Sequence, residues 1–220
     1  MAIIVKEGLR DLVYKRLHEM IEDNRFIPGS RINVEQLTAE MGISRTPIWQ
    51  AIGMLEKEGL LKSIPNKGVF IQVLSPEESI DLYSVREVLE CMAAEIAVPN
   101  VDEETITHME KNLIEQQQVI AAEDLVAYAR LDSDFHGAVY RLSSNIFLID
   151  ILNDIKKKMR PMVMHMNIIL EELYQDHVAV LDALRNRDSF KAKEAFRVHN
   201  ERMKNLIWQM IKENQLKTAN

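Results

Sequence analysis

Apolar positions recur along this chain with two periods, and the change from one to the other outlines its first part. Leu9, Leu12, Val13, Leu17, Met20 and Ile21 fall on one helical face, which predicts a helix over 8–24. A second, short helix is expected from Asn33 to Gly42, with Asn33 as N-cap, Gln36 in the reciprocal capping-box position and Gly42 as terminator. A third follows at once. Ser44 suits its N-cap, Pro47 is tolerated in its first turn, Ile48, Ile52 and Leu55 recur at i, i+4 and i+7, and Gly59 suits the left-handed residue that ends it. The period then becomes that of strands. Residues 61–64 and 69–73 flank Pro65-Asn66-Lys67-Gly68, a hairpin with one basic residue at its tip.

From Ser75 onward every segment has the helical period. Ser75 as cap, Pro76 as first helical residue and Glu78 at the third position make a near-complete helix start. Helices are expected at about 76–98, ended by Pro99, then 102–122, 124–142, 146–168 with a kink at Pro161, 171–186 and 189–213. The connections are short, so neighbouring helices run antiparallel and form a bundle. The expected fold is mainly α: an N-terminal winged helix-turn-helix over 1–74, then an all-α antiparallel bundle over 75–220.

The stripe of Ile48, Ile52 and Leu55 turns Arg45, Thr46, Trp49 and Gln50 to the opposite face, near the N-terminal end of the third helix. A helix with polar side chains at that end is shaped to enter a DNA major groove. The bland alternative is a small helical domain with a decorative hairpin, but three helices followed by a wing are more specific than any one element.

Composition adds limits. The 220 residues are 47% hydrophobic, which excludes a disordered chain, and the single cysteine, Cys91, forms no internal disulfide and reads as a buried bystander in a reducing cytosol. No secretory signal or apolar run of spanning length is present, so a soluble, cytoplasmic protein without a membrane partner is expected. The net charge of −7 argues against nucleic acid only until it is divided. Residues 1–74 hold ten basic and nine acidic residues, against seventeen and twenty-five in the remainder. Phosphate contacts must then come from a few placed groups such as Arg45 and Lys67, and operator binding is expected to rely on dimerisation.

The runs Phe26-Ile27-Pro28-Gly29-Ser30-Arg31-Ile32, Leu37-Thr38-Ala39-Glu40-Met41-Gly42-Ile43-Ser44-Arg45-Thr46-Pro47 and Glu56-Lys57-Glu58-Gly59-Leu60-Leu61 resemble the winged helix-turn-helix of GntR-family bacterial transcription regulators. The resemblance covers about 9 to 73. It implies that Ser44, Arg45 and Thr46 contact double-stranded operator DNA, and the helix face and hairpin tip read above add Trp49, Gln50, Lys67 and Gly68 as expected DNA-binding residues. It also implies a second arginine four residues after Arg45, where this chain has Trp49. Tryptophan offers one N–H donor and an apolar face in place of a bidentate guanine contact, so a different operator is expected.

In the bundle the chemistry lies in Asp132, His136, His177 and His199. Asp132 and His136, at i and i+4, share a helix face, and the other two come from two further helices. Neutral imidazoles with one carboxylate suit a divalent first-row metal, although each histidine taken singly also reads as a surface or hydrogen-bonded core residue. Arg86-Glu87-Val88-Leu89-Glu90, Leu131-Asp132-Ser133-Asp134-Phe135-His136, Ser144-Asn145, Asp176-His177 and Val198-His199 resemble the FadR-type C-terminal domain known as FCD. That resemblance covers about 76 to 213. It implies a metal, Zn, Ni or Mn foremost, held by Asp132, His136, His177 and His199, and a small carboxylate effector that completes its coordination. Arg86 is then the effector's basic anchor, with an internal Arg86–Glu90 ion pair as the alternative. Asp134 is expected to be solvated.

Together these readings describe a dimeric, ligand-responsive transcriptional regulator, by family habit a repressor, and not an enzyme. The rivals are a helical metalloenzyme of hydrolase type with an incidental winged helix, and a scaffold that binds only protein partners.

Overall fold

Gly42 and Gly59, at φ +64° and +74°, mark two points where the N-terminal chain turns out of a helix. A β-carbon is disfavoured at such angles, so glycine gives these helices sharp ends. The structure is a computed structural model that describes residues 8–23, 25–159 and 169–218, and its two compact units divide between Val73 and Leu74.

The first unit holds helices α1 (Leu9–Glu22), α2 (Val34–Met41) and α3 (Arg45–Lys57). Asn33 caps α2 by accepting from the amides of Glu35 and Gln36. The reciprocal half of the expected box is not made, because Gln36 donates its side-chain amide to Glu40, a charged acceptor one turn along. Ser44 has the extended backbone of an N-cap, but its hydroxyl makes no capping bond. Strands β2 (Leu61–Ile64) and β3 (Gly68–Ile71) pair antiparallel with Ile64 opposite Gly68, and form the wing. A third strand was not expected: β1 (Arg31–Ile32) pairs antiparallel with the other edge of β3, with Ile32 opposite Val69. Two residues are too few to show an alternating period.

Leu17, Ile48, Ile52, Leu55, Leu61 and Val69 lie in the buried core of this unit. The α1 face is narrower than its pattern suggested. Val13, Leu17, Met20 and Ile21 are buried, whereas Leu9 and Leu12 are 52% and 49% exposed. The first turn of α1 thus stands beyond the core its later turns close.

In the second unit, Ser75 and Glu78 form both halves of a capping box around Pro76, and α4 runs Pro76–Ala97. Pro99 lacks the amide that would continue the ladder, and the chain tightens into a 3₁₀ turn over Val98–Asn100. Next come α5 (Glu103–Ala121), α6 (Leu125–Leu142), α7 (Ile146–Met159), α8 (Leu170–Arg185) and α9 (Ser189–Thr218), the last running on beyond 213. Pro161 and the kink expected there lie outside the described residues.

Three of the bundle's reversals share one device. Glu123, Ser144 and Arg187 each adopt a left-handed φ of 52–55°, and the next residue, Asp124, Asn145 or Asp188, caps the following helix through its side chain. These tight turns return α6, α7 and α9 against their predecessors. Helix α4 packs along α9 and also meets α6 and α7, so its buried face points to the centre of the bundle. That face carries Arg86 and Glu90.

Leu55 is fully buried, so Leu55→Ala is expected to destabilise the first unit by about 3 kcal/mol, and Leu9→Ala by under about 1 kcal/mol. Urea denaturation of the two variants checks this; equal losses would contradict the register of α1.

Candidate metal centre and nucleic-acid interface

Asp132 and His136 project from α6, His177 from α8 and His199 from α9. One potential ligand atom from each lies within 4.8 Å of all the others, with the three imidazoles buried and the carboxylate partly so. Asp132 Oδ1 is 3.5 Å from His136 Nε2 and 3.6 Å from His177 Nε2. The two imidazole Nε2 atoms are 3.2 Å apart.

The surrounding hydrogen bonds decide which ring nitrogens carry protons. Asn112 Nδ2 donates to the Leu131 carbonyl and to Asp134, so its Oδ1 accepts, at 2.7 Å, from Gln116 Nε2. Gln116 is therefore turned with Oε1 toward His177 Nδ1, 2.9 Å away, and that nitrogen bears the proton. On His136, Nδ1 lies 2.6 Å from Glu90 Oε1, an ionised carboxylate that only accepts. The two rings bring their Nε2 atoms face to face, 3.2 Å apart, beside the Asp132 carboxylate. Ligand atoms about 2.0–2.1 Å from a common ion in tetrahedral geometry stand about 3.3–3.4 Å apart, so the donor set fits a transition metal.

The electrostatics agree. Burial alone would raise the Asp132 carboxyl, but the Lys156 ammonium 2.9 Å away, with His136 and His177, holds it well below the usual range. Burial would likewise raise Glu90, which Arg86 at 3.0 Å and His136 instead hold well below. Burial, reinforced by His136, lowers His177 to about 3, and burial with the neighbouring imidazoles holds His199 well below its ordinary value. Asp132 is thus set against Lys156 and Glu90 against Arg86, and the His177 and His199 rings are held neutral. Nearby Asp176 is matched by Arg202 at 2.8 and 3.0 Å.

Arg86 is placed as the ion-pair alternative describes, buried against Glu90 and 5.6 Å from the centroid of the Tyr83 ring. Its Nε still has no hydrogen-bond partner among the described residues, and neither do Tyr128 Oη, His199 Nδ1 and Asn200 Oδ1. Asp134 is half-exposed but engaged, 2.7 Å from His108 and bonded to Asn112. Sequence reading missed Gln116, Lys156 and Asn200 as parts of the centre. Gln116 had left a signal: it continues the buried stripe of Ile106, Met109 and Leu113 on α5, where a polar residue needs a reason.

At the other site, Ser44, Arg45, Thr46, Trp49 and Gln50 are all exposed at the N-terminal end of α3, and Lys67 is exposed at the wing. Arg45 is bound to Glu35 of α2 at 2.8 Å. Trp49, 47% exposed, borders with Gly68 and Val69 a recess of about 470 Å³ between α3 and the wing.

An N-terminal winged helix-turn-helix with an exposed polar recognition helix, followed by a helical bundle with a polar centre, defines a DNA-binding, ligand-responsive regulator. Residues 9–71 match the bacterial regulatory proteins of the gntR family, and residues 81–202 match the FCD domain. The chain belongs to the GntR family and to its FCD-bearing branch. It is 32% identical over 191 residues to YdhC, an HTH-type transcriptional regulator of Bacillus subtilis, covering 84% of this chain and 85% of that one. It is 23% identical to the HTH-type transcriptional repressor RspR of Escherichia coli, covering 92% and 90%. The solved structure of Escherichia coli McbR/YncC has the same fold, with a TM-score of 0.81 at 19% identity over 94% of this chain and 100% of that one. YdhC and RspR are transcription regulators, and the metalloenzyme and scaffold readings fall with that finding. No helix among the described residues is long and apolar enough to cross a membrane.

The histidine shifts set a pH dependence for the metal-free protein. The folded His177 takes up a proton only near pH 3, whereas its unfolded form does so near 6.5. Acidification across that window therefore favours the unfolded chain, and His199 acts in the same direction. Chelator-treated protein is expected to lose stability progressively from pH 6.5 downward, beginning above the range where carboxylates titrate. Thermal denaturation checks it; a melting temperature constant from pH 6.5 to 5 would contradict the neutral, buried placement of these rings.

Proposed function

We propose that this chain is a cytoplasmic, homodimeric repressor whose bundle holds a divalent transition metal, Zn, Ni or Mn, and senses a small organic acid. The observation that carries the reading is the convergence of Asp132, His136, His177 and His199, with two imidazole Nε2 atoms 3.2 Å apart beside the carboxylate. Asp132, His136, His177 and His199 would hold the ion. A divalent ion brings two positive charges and open coordination positions to a centre where Asp132 and Glu90 are already paired with Lys156 and Arg86. That imbalance calls for an anion, and a dicarboxylate or hydroxy acid balances it. Arg86, whose Nε has no partner among the described residues, and the Tyr128 hydroxyl offer donors for the acid's far end.

Ser44, Arg45, Thr46, Trp49 and Gln50, with Lys67 and Gly68 at the wing, form the operator-reading face in this proposal. Two such faces on a dimer fit a near-palindromic site. An apolar stripe supports dimerisation: Val85, Val88 and Met92 on α4, at i, i+3 and i+7, are 52%, 67% and 47% exposed. The acid shifts operator affinity by its differential affinity for two arrangements of the dimer.

The test uses the duplex that the wild-type chain selects from a randomised library. Arg45→Ala is expected to weaken binding to it by about tenfold or more while metal content stays unchanged. Titration of the metal-loaded wild type with dicarboxylates is expected to change operator affinity for at least one acid. Unchanged DNA binding by Arg45→Ala would contradict the recognition-helix assignment, and acids that bind the bundle without changing operator affinity would contradict the coupling.

A further inference from the structure

Arg31 lies against the wing in a way that the recognition helix does not explain. A β-carbon built on Gly68 would stand 2.6 Å from Arg31 Nε and 3.3 Å from both Cζ and Nη2, so the guanidinium fills the space a side chain would take there. It reaches that position through the strand pairing. Ile32, opposite Val69, is buried in the core, and Arg31, one residue earlier and opposite Phe70, turns outward.

Its charge is also unmatched. Arg31 is exposed, and no carboxylate pairs with it among the described residues. Arg45 shares the same recess, together with Glu35, Trp49 and Gly68, but is already bound to Glu35 at 2.8 Å. Arg31 is therefore the guanidinium of this recess that has no counter-charge, and packing against the Gly68 backbone limits its freedom. A pre-positioned planar fork of donors is suited to an oxyanion with two accessible oxygens. It projects from the sheet and not from the helix that enters the groove, so the anion within its reach is the DNA backbone and not a base edge.

We propose that Arg31 is a phosphate-binding residue of the operator interface, which takes two non-bridging oxygens of one phosphodiester where the recognition helix meets the wing. Gly68 leaves the room this requires. The inference rests on DNA binding by the winged unit and is independent of any metal or effector in the bundle. It also bears on the domain's weak net charge of +1, since a cation held in place contributes without a basic surface.

The test compares Arg31→Ala with the wild type on two duplexes, one of random sequence and the one the wild type selects from a randomised library, over a series of salt concentrations. Arg31→Ala is expected to lower affinity for both duplexes by the same factor, about tenfold, and to reduce the salt slope by about 1 per protomer. Arg31→Lys is expected to keep the wild-type slope with intermediate affinity, because the charge remains and the fork is lost. Arg31→Gln retains the length of the side chain; if Arg31→Ala lowers the melting temperature, Arg31→Gln carries the same expectation without that complication. A loss confined to the selected duplex, with the slope unchanged, would make Arg31 a base-reading residue and overturn the proposal. Wild-type affinity and slope in a folded Arg31→Ala or Arg31→Gln protein would overturn it equally. Failure of the wild type to bind either duplex would instead overturn the DNA-binding reading on which it rests.

Discussion

The hydrogen bond from His136 Nδ1 to the buried Glu90 carboxylate is the constraint on which the centre of the bundle depends. Glu90 is also ion-paired with Arg86 and accepts from the Tyr140 hydroxyl and, at 2.7 Å, from Asn200, so one carboxylate ties α4 to α6 and α9. Removing it would leave a buried arginine unpaired, a loss of several kcal/mol in general. The same carboxylate holds His136 by Nδ1 and so turns its Nε2 inward, toward His177 and Asp132. Fold and chemistry are thus served by one side chain. A parallel arrangement on α5, through Asn112 and Gln116, fixes His177.

The winged unit solves a different problem, the presentation of few charges to a highly charged partner. Helices α2 and α3 end at glycines in the left-handed region, and the core around Ile48, Ile52 and Leu55 leaves the outer end of α3 polar and exposed. Arg45 is held by Glu35 in the free chain, an exposed pair worth about 1 kcal/mol or less, so phosphate or base contacts displace it at little cost. Trp49 is exposed and free to meet an apolar surface such as a thymine methyl.

Much of this was legible in the sequence because it is carried by local signals. The Ser75 capping box, the glycine helix ends, the hairpin and the convergence of Asp132, His136, His177 and His199 all follow from spacing along single elements or from family resemblance. What was missed depends on contacts between elements. β1 is visible only through its partner β3, the outward turn of Leu9 and Leu12 reflects where the core ends, and Lys156 joins the centre only because α7 lies beside α6. Gln116 shows the middle case: its place on an apolar stripe signalled a buried polar group, but its partner on α8 did not appear in any local pattern.

The central claim is that this centre is built for a cation that the protein itself does not supply. The most direct test is elemental analysis of the full chain purified without chelator or affinity tag, repeated after dialysis against Zn, Ni or Mn, with His177→Ala as the comparison. The account predicts about one transition metal per wild-type chain and a markedly lower content in His177→Ala. Wild-type protein that holds no metal and takes up none would contradict it, and would mean that the three imidazoles and Asp132 meet in the bundle as structural polar residues alone.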